Sequence, residues 1–380
     1  MKRHILCGAE VLEKGFSLPL PKSASVGIIT NPTAITHDGT PSFEILRQKY
    51  TLSAMFSPEH GVRGNLQAGA RVGEYTDDVT GIPVYSTYGE YKFRADEAMA
   101  SLDCVFFDIQ DIGSRYYTYQ YTMTEAMEVC AAHGVPFVVL DRPPMIPSVP
   151  QGNILRREYA SFVGKYPTAS RTGLTIGEFA RYINASENIG CDLTVIPCEN
   201  VTKSMFYDEG DLPFVLPSPN LPSVDCALLY PGTCLIEGTN LSEGRGTTKP
   251  FELIGAPWLK SRETIALAKE SFARLNPGGI LLREAYFTPT FSKHEGQLCA
   301  GIQLHITDRD GIRPFDAALC LIHAIRRLHP EFSFRDSFMK LLFGSDEILA
   351  DDFDPQSYLA SQEELIAAYA RAVQPYRLYE

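Results

Sequence analysis

Apolar strand-like segments alternate with helix-like segments through the first 200 residues, and this alternation constrains the fold more than any other feature. The predicted strands cover residues 25–30, 52–56, 102–109, 135–140 and 193–197. The predicted helices cover residues 43–50, 116–133 and 175–189, the last with Thr175 and Glu178 in a capping-box pattern. Such alternation predicts an α/β domain with a doubly wound, mostly parallel sheet.

The pattern changes after about residue 200. Residues 210–258 are rich in Pro, Gly, Ser and Thr, and a loop of this length is usually functional. Beyond it, residues 280–287 and 300–307 alternate like antiparallel strands among helical segments near 261–275, 315–328 and 362–373. The 380 residues therefore predict two domains, residues 1–230 and a smaller α+β domain of residues 231–380.

Composition and missing motifs exclude several classes of protein. With 34 basic and 46 acidic residues the net charge is −12, which argues against a nucleic-acid partner. The N-terminal apolar run stops at Glu10, and no run is long enough to span a membrane. Nine scattered cysteines without a CxxC pair predict reduced thiols in a cytoplasmic protein. Because phosphate-loop, dinucleotide and zinc motifs are absent, we expect no cofactor and no metal.

Polar side chains follow directly on four of the predicted strands. These candidates for a site are Asn31 after the first strand, Glu59, His60 and Arg63 after the second, Asp111, Arg115, Tyr116 and Tyr117 after the third, and Arg142 after the fourth. Turn and capping preferences explain Asn31, but they explain the Glu-His, Arg-Tyr-Tyr and Arg142 clusters poorly. Since ligands bind at the carboxyl ends of strands in open parallel sheets, the clusters predict one polar crevice.

Single residues of the crevice leave alternatives open. Glu59 is either a general acid or an exposed turn carboxylate, and His60 either orients it or is structural. Asp111 is either a second carboxylate or an anion that caps a helix. Of Tyr116, Tyr117, Tyr119 and Tyr121, helical spacing places one or two toward the crevice and packs the others.

The long loop adds a second polar group of residues. Asn220 lies in the segment 217–222, and Asn240, Glu243 and Arg245 lie in the segment 237–248. Many short hydrogen-bonding side chains suit a polyol ligand, with an aromatic platform such as Trp258, the only tryptophan. No GxSxG motif supports a serine nucleophile, and no cysteine lies among the strand-end clusters.

The chain also resembles a family long known only as a domain of unknown function, whose characterised members are exo-β-N-acetylmuramidases of the NamZ type. The resemblance runs from about residue 8 to the C-terminus, in segments 27–33, 56–61, 80–86, 108–119, 140–143, 217–222, 230–233 and 237–248. It implies a Rossmann-like domain plus a smaller α+β domain, with the active site in the cleft between them. It implies removal of terminal N-acetylmuramic acid from the non-reducing end of peptidoglycan fragments.

Two departures from the family bear on this expectation. Many relatives are exported, whereas the N-terminus here lacks a signal pattern, which favours recovery of imported fragments. After the segment 141–143 the family usually continues Asn-Pro, whereas Pro144 and Met145 stand here. Substrate contacts of that loop are expected to differ.

Glycoside hydrolysis needs an acid and a second group on the opposite face of the sugar. The expected acid/base is Glu59, supported by His60. The second group is left open among Asp111, Glu243, Tyr116 and Tyr117. An arginine is expected to grip the lactyl carboxylate of muramic acid, with the candidates Arg63, Arg115, Arg142 and Arg245. The competing hypotheses are a non-catalytic binder of muropeptides and a hydrolase of a related β-N-acetylhexosaminide.

Overall fold

The computed structural model describes residues 2–58, 62–63, 74–87, 89, 92–275 and 278–380. Its strands are β1 Ser25–Thr30, β2 Thr51–Ser57, β3 Tyr75–Thr76, β4 Pro83–Ser86, β5 Cys104–Asp108, β6 Phe137–Leu140, β7 Gln151–Ile154, β8 Ala169–Arg171, β9 Leu193–Ile196, β10 Leu253–Ala256, β11 Ile280–Phe287 and β12 Cys299–Ile306. Its α-helices are α1 Gly8–Lys14, α2 Ser42–Lys49, α3 Lys92–Ala100, α4 Tyr119–His133, α5 Ile176–Ser186, α6 Val224–Thr233, α7 Ser261–Leu275, α8 Pro314–Leu328, α9 Asp336–Phe343 and α10 Pro355–Val373.

The main sheet has the order β3-β4-β2-β1-β5-β6-β9, and β3 is its antiparallel edge strand. The pairs β1·β2, β1·β5, β2·β4, β5·β6 and β6·β9 are all parallel. Every residue of β5 is buried, because helices cover both faces of a parallel sheet. The predicted α/β fold with a mostly parallel sheet is confirmed.

A smaller antiparallel sheet with the order β10-β12-β11 follows the long loop. The alternation at residues 280–287 and 300–307 predicted β11 and β12, which pair antiparallel from Ile280↔Ile306 to Phe287↔Cys299. Sequence reasoning missed β10, whose four residues are all buried and show no alternation. The expected second α+β unit is therefore present.

The predicted domain boundary near residue 230 falls inside α6, and it stays a prediction. The end of the chain returns to the first sheet, where the Tyr379 hydroxyl donates to Asp141 Oδ2 at 2.6 Å. Arg377 donates to the Gly173 carbonyl oxygen at 2.7 Å in the same region. The C-terminal segment thus stabilises the N-terminal domain.

The helix before the candidate site begins later than predicted. The pattern predicted residues 116–133, whereas α4 begins at Tyr119. Gly113, at φ 70°, and the Asp111 carboxylate hold the preceding turn, and Ser114 forms a bridge to Arg171. The turn therefore presents residues 116–118 as loop. The capping box of α5 is confirmed, since Thr175 accepts from the Glu178 backbone amide.

All nine cysteines lie within the described residues, and each is a buried free thiol. Burial raises the pKa of Cys7 and Cys104 to about 12, so these thiols are protonated and unreactive. Among the described residues, no helix combines the length and apolar character that a bilayer crossing needs.

Candidate functional site

A cleft of about 200 Å³ opens where the loop after β5 meets the second half of the chain. Residues 116–119 form one wall, and Asn220 with the turn at Phe162 form a second. Tyr230, Glu237 and Arg245 also line the cavity, together with Phe338 and Leu342 of α9. We call this cavity the strand-end cleft. It brings together the predicted residues Tyr116, Tyr117, Asn220 and Arg245.

The two predicted catalytic tyrosines that line the cleft, Tyr116 and Tyr117, differ in their surroundings. The Tyr116 hydroxyl donates to Ser170 Oγ at 3.4 Å, its ring is buried, and burial raises its pKa. A tyrosine with a raised pKa is a poor nucleophile at neutral pH. The Tyr117 hydroxyl donates to the Pro217 carbonyl oxygen and thereby joins the two cleft walls.

A four-residue charge cluster lies against the cleft, and we call it the acid–base cluster: Glu237, Glu243, Arg245 and Lys293. Arg245 contacts Glu237 at 2.8 Å and Glu243 at 3.3 Å, and Lys293 Nζ lies 3.0 Å from Glu243 Oε2. Burial would lower the pKa of Arg245, but the two glutamates raise it. Glu243 is buried, and both of its carboxylate oxygens are engaged in ion pairs with the two cations.

Sequence reasoning missed Glu237, Lys293 and Arg335. Glu237 is the acidic residue in the described cleft lining. It was missed as a candidate although it is the first residue of the motif 237–248, which carried the resemblance. Burial lowers the pKa of Lys293, which nevertheless donates to the carbonyl oxygens of Ile236 and Thr239. Arg335 is exposed and has no acidic partner among the residues that the structure describes. It therefore adds a positive charge to a cluster that is otherwise balanced.

Three of the four predicted carboxylate-binding arginines are engaged elsewhere, which corrects that expectation. Arg142 is buried and makes a bidentate ion pair with Asp108 at 2.6 and 2.9 Å. Arg63 pairs with Asp77 in the same bidentate manner, at 2.6 and 2.8 Å. Arg115 is fully buried and donates to backbone carbonyl oxygens of Asn153, Thr168, Leu342 and Phe343. Only Arg245 of the four lines the cleft.

Asp111 lies apart from the described cleft lining. It borders a cavity of about 10 Å³ with Gln110 and Arg142, enough for one water molecule. Its Oδ2 accepts from the Gly113 amide at 2.7 Å, and its Oδ1 has no partner among the described residues. Burial raises the pKa of Asp111 to about 7. Its predicted role as a second carboxylate therefore has no support from this position.

Two predicted asparagines serve the backbone instead of the cleft. The Asn31 side chain accepts from the Thr33 amide at 3.0 Å and hydroxyl at 2.6 Å, which closes the turn after β1. Asn240 binds the loop at Glu331 and Ser333 through both ends of its amide, at 2.7 and 3.0 Å. Both side chains therefore have a structural role, and neither is in the described cleft lining, so their role in substrate binding stays a prediction.

Glu59 and His60 lie outside the described residues, so their roles stay predictions. The neighbouring strand β2 ends at Ser57 and lies beside β1, whose other neighbour β5 leads into the cleft loop. Trp258, the predicted aromatic platform, packs on His329 with ring centroids 5.5 Å apart and is absent from the described cleft lining.

One group of described residues has the composition of a metal site. His4, His37 and Asp211 place their potential ligand atoms within 4.8 Å of one another. The same atoms already hydrogen-bond, since His37 contacts Asp211 at 2.6 Å and Glu10 at 2.7 Å. These contacts join the N-terminus to the loops after β1 and before α6, and they explain the cluster without an ion.

Comparisons with known proteins cover the whole chain. The family model for the N-terminal part of the exo-β-N-acetylmuramidase NamZ matches residues 26–225, and that for its C-terminal part matches residues 228–379. The peptidoglycan β-N-acetylmuramidase NamZ of Bacillus subtilis strain 168 is 46% identical, across 99% of this chain and 90% of that protein. Crystal structures of two DUF1343 family proteins of Bacteroides fragilis NCTC 9343 share the fold. One has TM-score 0.90 at 29% identity over 100% of both chains, and the other has TM-score 0.77 at 31% identity over 99% of both.

Proposed function

Because the chain belongs to the NamZ family of exo-β-N-acetylmuramidases, we propose that it removes terminal N-acetylmuramic acid from the non-reducing end of peptidoglycan fragments. The observation that carries the proposal is the strand-end cleft, where the family's motif segments 108–119, 217–222 and 237–248 meet. Its volume of about 200 Å³ is below the roughly 300–1,000 Å³ of pockets for drug-sized ligands. One sugar ring suits such a cavity, as exo-cleavage requires.

The catalytic acid in this proposal is Glu59, which follows β2 at the edge of the sheet that also feeds the cleft loop. The second carboxylate is Glu237, because it lines the described cleft while Glu243 is held behind it by Lys293. Two carboxylates on opposite faces of the glycosidic bond perform the proton transfers of glycoside hydrolysis.

The lactyl carboxylate of muramic acid is assigned to Arg245 in this proposal. Its Nε and Nη2 face Glu243 and Glu237, which leaves Nη1 without a partner among the described residues. A guanidinium with free N–H groups binds a carboxylate through short charge-assisted hydrogen bonds. Lys293 balances the second glutamate, so the arginine retains charge for the ligand.

The test is release of free N-acetylmuramic acid from the β-1,4-linked disaccharide of N-acetylmuramic acid and N-acetylglucosamine. A parallel assay uses the β-1,4-linked disaccharide of N-acetylglucosamine. We expect wild type to cleave the first substrate, and we expect Glu59→Gln to lower kcat by about 10²–10⁴-fold. We expect Glu237→Gln to lower kcat by a similar factor.

The matched control is Glu263→Gln, which changes an exposed glutamate of α7 and should leave kcat unchanged. Binding without turnover by wild type would establish a binding protein instead. Preferred cleavage of the glucosamine disaccharide would establish a different hexosaminidase. Full activity of Glu59→Gln would remove Glu59 from the mechanism.

A further inference from the structure

Two phenylalanine rings, one exposed and one half-buried, lie together at one side of the strand-end cleft. Phe162 is 66% exposed, and both Phe162 and Phe338 line the cleft. Their ring planes differ by only 17°, and their centroids lie 6.3 Å apart. At this separation, near the upper end of the 4.5–7 Å of aromatic pairs, neither ring covers the other. We call the pair the aromatic shelf.

Local structure holds Phe162 in this exposed position. The turn that carries it is closed by hydrogen bonds between Ser161 and Gly164, at 2.8 and 3.2 Å. The next residue, Val163, is buried and anchors the turn to the core. Water surrounds most of the Phe162 ring although the turn itself is fixed. The local fold therefore maintains the exposure. Contact between the apolar ring and water is unfavourable, and a bound ligand that covers the ring would remove that contact.

The second ring is held from the opposite domain. Phe338 lies in α9, and the buried Arg115 guanidinium binds the carbonyl oxygens of Leu342 and Phe343 at the end of that helix. A cation at a helix C-terminus is favoured by the helix dipole. The Arg335 guanidinium carbon lies 5.5 Å from the Phe338 centroid and restricts that ring. Arg115 thus fixes the spacing of the shelf from the strand-end loop.

The chemistry of the shelf selects its ligand. Aromatic faces take up the apolar C–H faces of sugar rings, and the Phe162 ring, unlike Phe338 with its neighbouring Arg335, has no described cation beside it for the carboxylate of muramic acid. Arg245 of the acid–base cluster also lines the cleft, and its guanidinium is suited to the charged sugar. In an exo-acting glycosidase the released sugar occupies the enclosed end of the site, and the rest of the chain leaves through the mouth.

We propose that the aromatic shelf binds the sugar on the leaving side of the scissile bond, the uncharged N-acetylglucosamine ring. This assignment rests on the proposed muramidase function and adds the recognition of the second sugar. It predicts that the shelf acts only on substrates that carry a sugar as leaving group. A substrate with a leaving group too small to reach Phe162 should be unaffected by changes there.

The test compares Phe162→Ala with wild type on two substrates. One is the disaccharide of N-acetylmuramic acid and N-acetylglucosamine, and the other is N-acetylmuramic acid β-fluoride, whose fluoride leaving group is read with an electrode. We expect kcat/KM on the disaccharide to fall about tenfold, mainly through KM, as losing one aromatic contact predicts. On the fluoride, kcat/KM should change less than twofold, and Phe162→Trp should restore activity on the disaccharide.

The matched control is Tyr286→Ala, which removes a 63% exposed aromatic ring on β11 and is expected to leave both substrates unaffected. An equal fall on both substrates, or no fall on the disaccharide, would overturn the assignment. If wild type cleaves neither substrate, the proposed function fails before the shelf is tested, so the two failures are distinguishable. Circular dichroism of Phe162→Ala should match wild type because the ring is mostly exposed.

Discussion

Replacement of Arg142 by methionine tests whether this arginine is structural. Its guanidinium and the Asp108 carboxylate are both buried, with exposed side-chain fractions of 1% and 0%. Two hydrogen bonds of 2.6 and 2.9 Å join them, and a third of 2.9 Å reaches the Ile35 carbonyl oxygen. Burial opposes the charge of Arg142, but Asp108 raises its pKa well above the usual range. Arg142 therefore stays charged throughout the working pH range.

Removal of one partner leaves the other as a buried charge without compensation, which costs about 3–5 kcal/mol. Whole proteins are stable by only about 5–15 kcal/mol, so the loss is a large fraction of the free energy of unfolding. With an m-value of about 3 kcal/mol/M, the urea midpoint of Arg142→Met should fall by about 1–2 M. The double variant Asp108→Asn with Arg142→Met should recover part of this loss, because it leaves no isolated charge.

The assay is urea unfolding followed by tyrosine fluorescence and circular dichroism, with muramidase activity measured on the folded fraction. Arg245→Met serves as the comparison, because this side chain is 26% exposed and lines the cleft. It should raise KM for the muramic acid disaccharide with a smaller loss of stability. The reasoning about Arg142 is refuted if Arg142→Met keeps the wild-type midpoint and raises KM instead.

Two further predictions concern pH. Burial raises the pKa of Asp111 to about 7, whereas the pKa of an aspartate in the unfolded chain is roughly 3.9. The folded protein therefore binds the Asp111 proton more tightly than the unfolded chain does. As a result, the protein loses stability as pH rises from about 4 to 7. Asp111→Asn should lack that loss in urea titrations, and an unchanged pH profile would contradict it. Burial lowers the pKa of His37, but the contacts with Asp211 and Glu10 outweigh burial, and the net pKa is raised. The stabilisation by His37 is therefore present below about pH 6.5 and is lost as pH rises through the raised pKa. His37→Gln should abolish that loss, and a wild-type slope above pH 6.5 in this variant would exclude His37 as its source.

Five strands of the first domain, β1, β2, β5, β6 and β9, could be predicted because a strand covered on both faces leaves a continuous apolar signal, whereas β3, β4, β7 and β8 were missed. Strand β1 matches its predicted bounds, and the predicted segment 52–56 lies within β2. The start of α4 was wrong because Gly113 at φ 70° and the Asp111 carboxylate stabilise a turn that the helical pattern conceals. Of the predicted strand-end site residues, only Tyr116 and Tyr117 after β5 line the described cleft, so one crevice shared by four strand ends stays a prediction.

The partner of each arginine could not be predicted, because long-range contacts determine it. Asp108 is the last residue of β5 and looked like part of an apolar strand, yet its carboxylate lies where Arg142 leaves the adjacent β6. A buried strand tolerates a carboxylate at its end only when a cation meets it, since an unpaired buried charge is too costly. Conversely, nothing in the sequence around Phe162 distinguishes it from other residues of a turn. Only its position beside the cleft in the folded protein does so. A buried charge with an ion-pair partner, such as Arg142, is therefore identified as structural. An exposed apolar side chain beside a cleft, such as Phe162, is identified as a candidate for ligand binding.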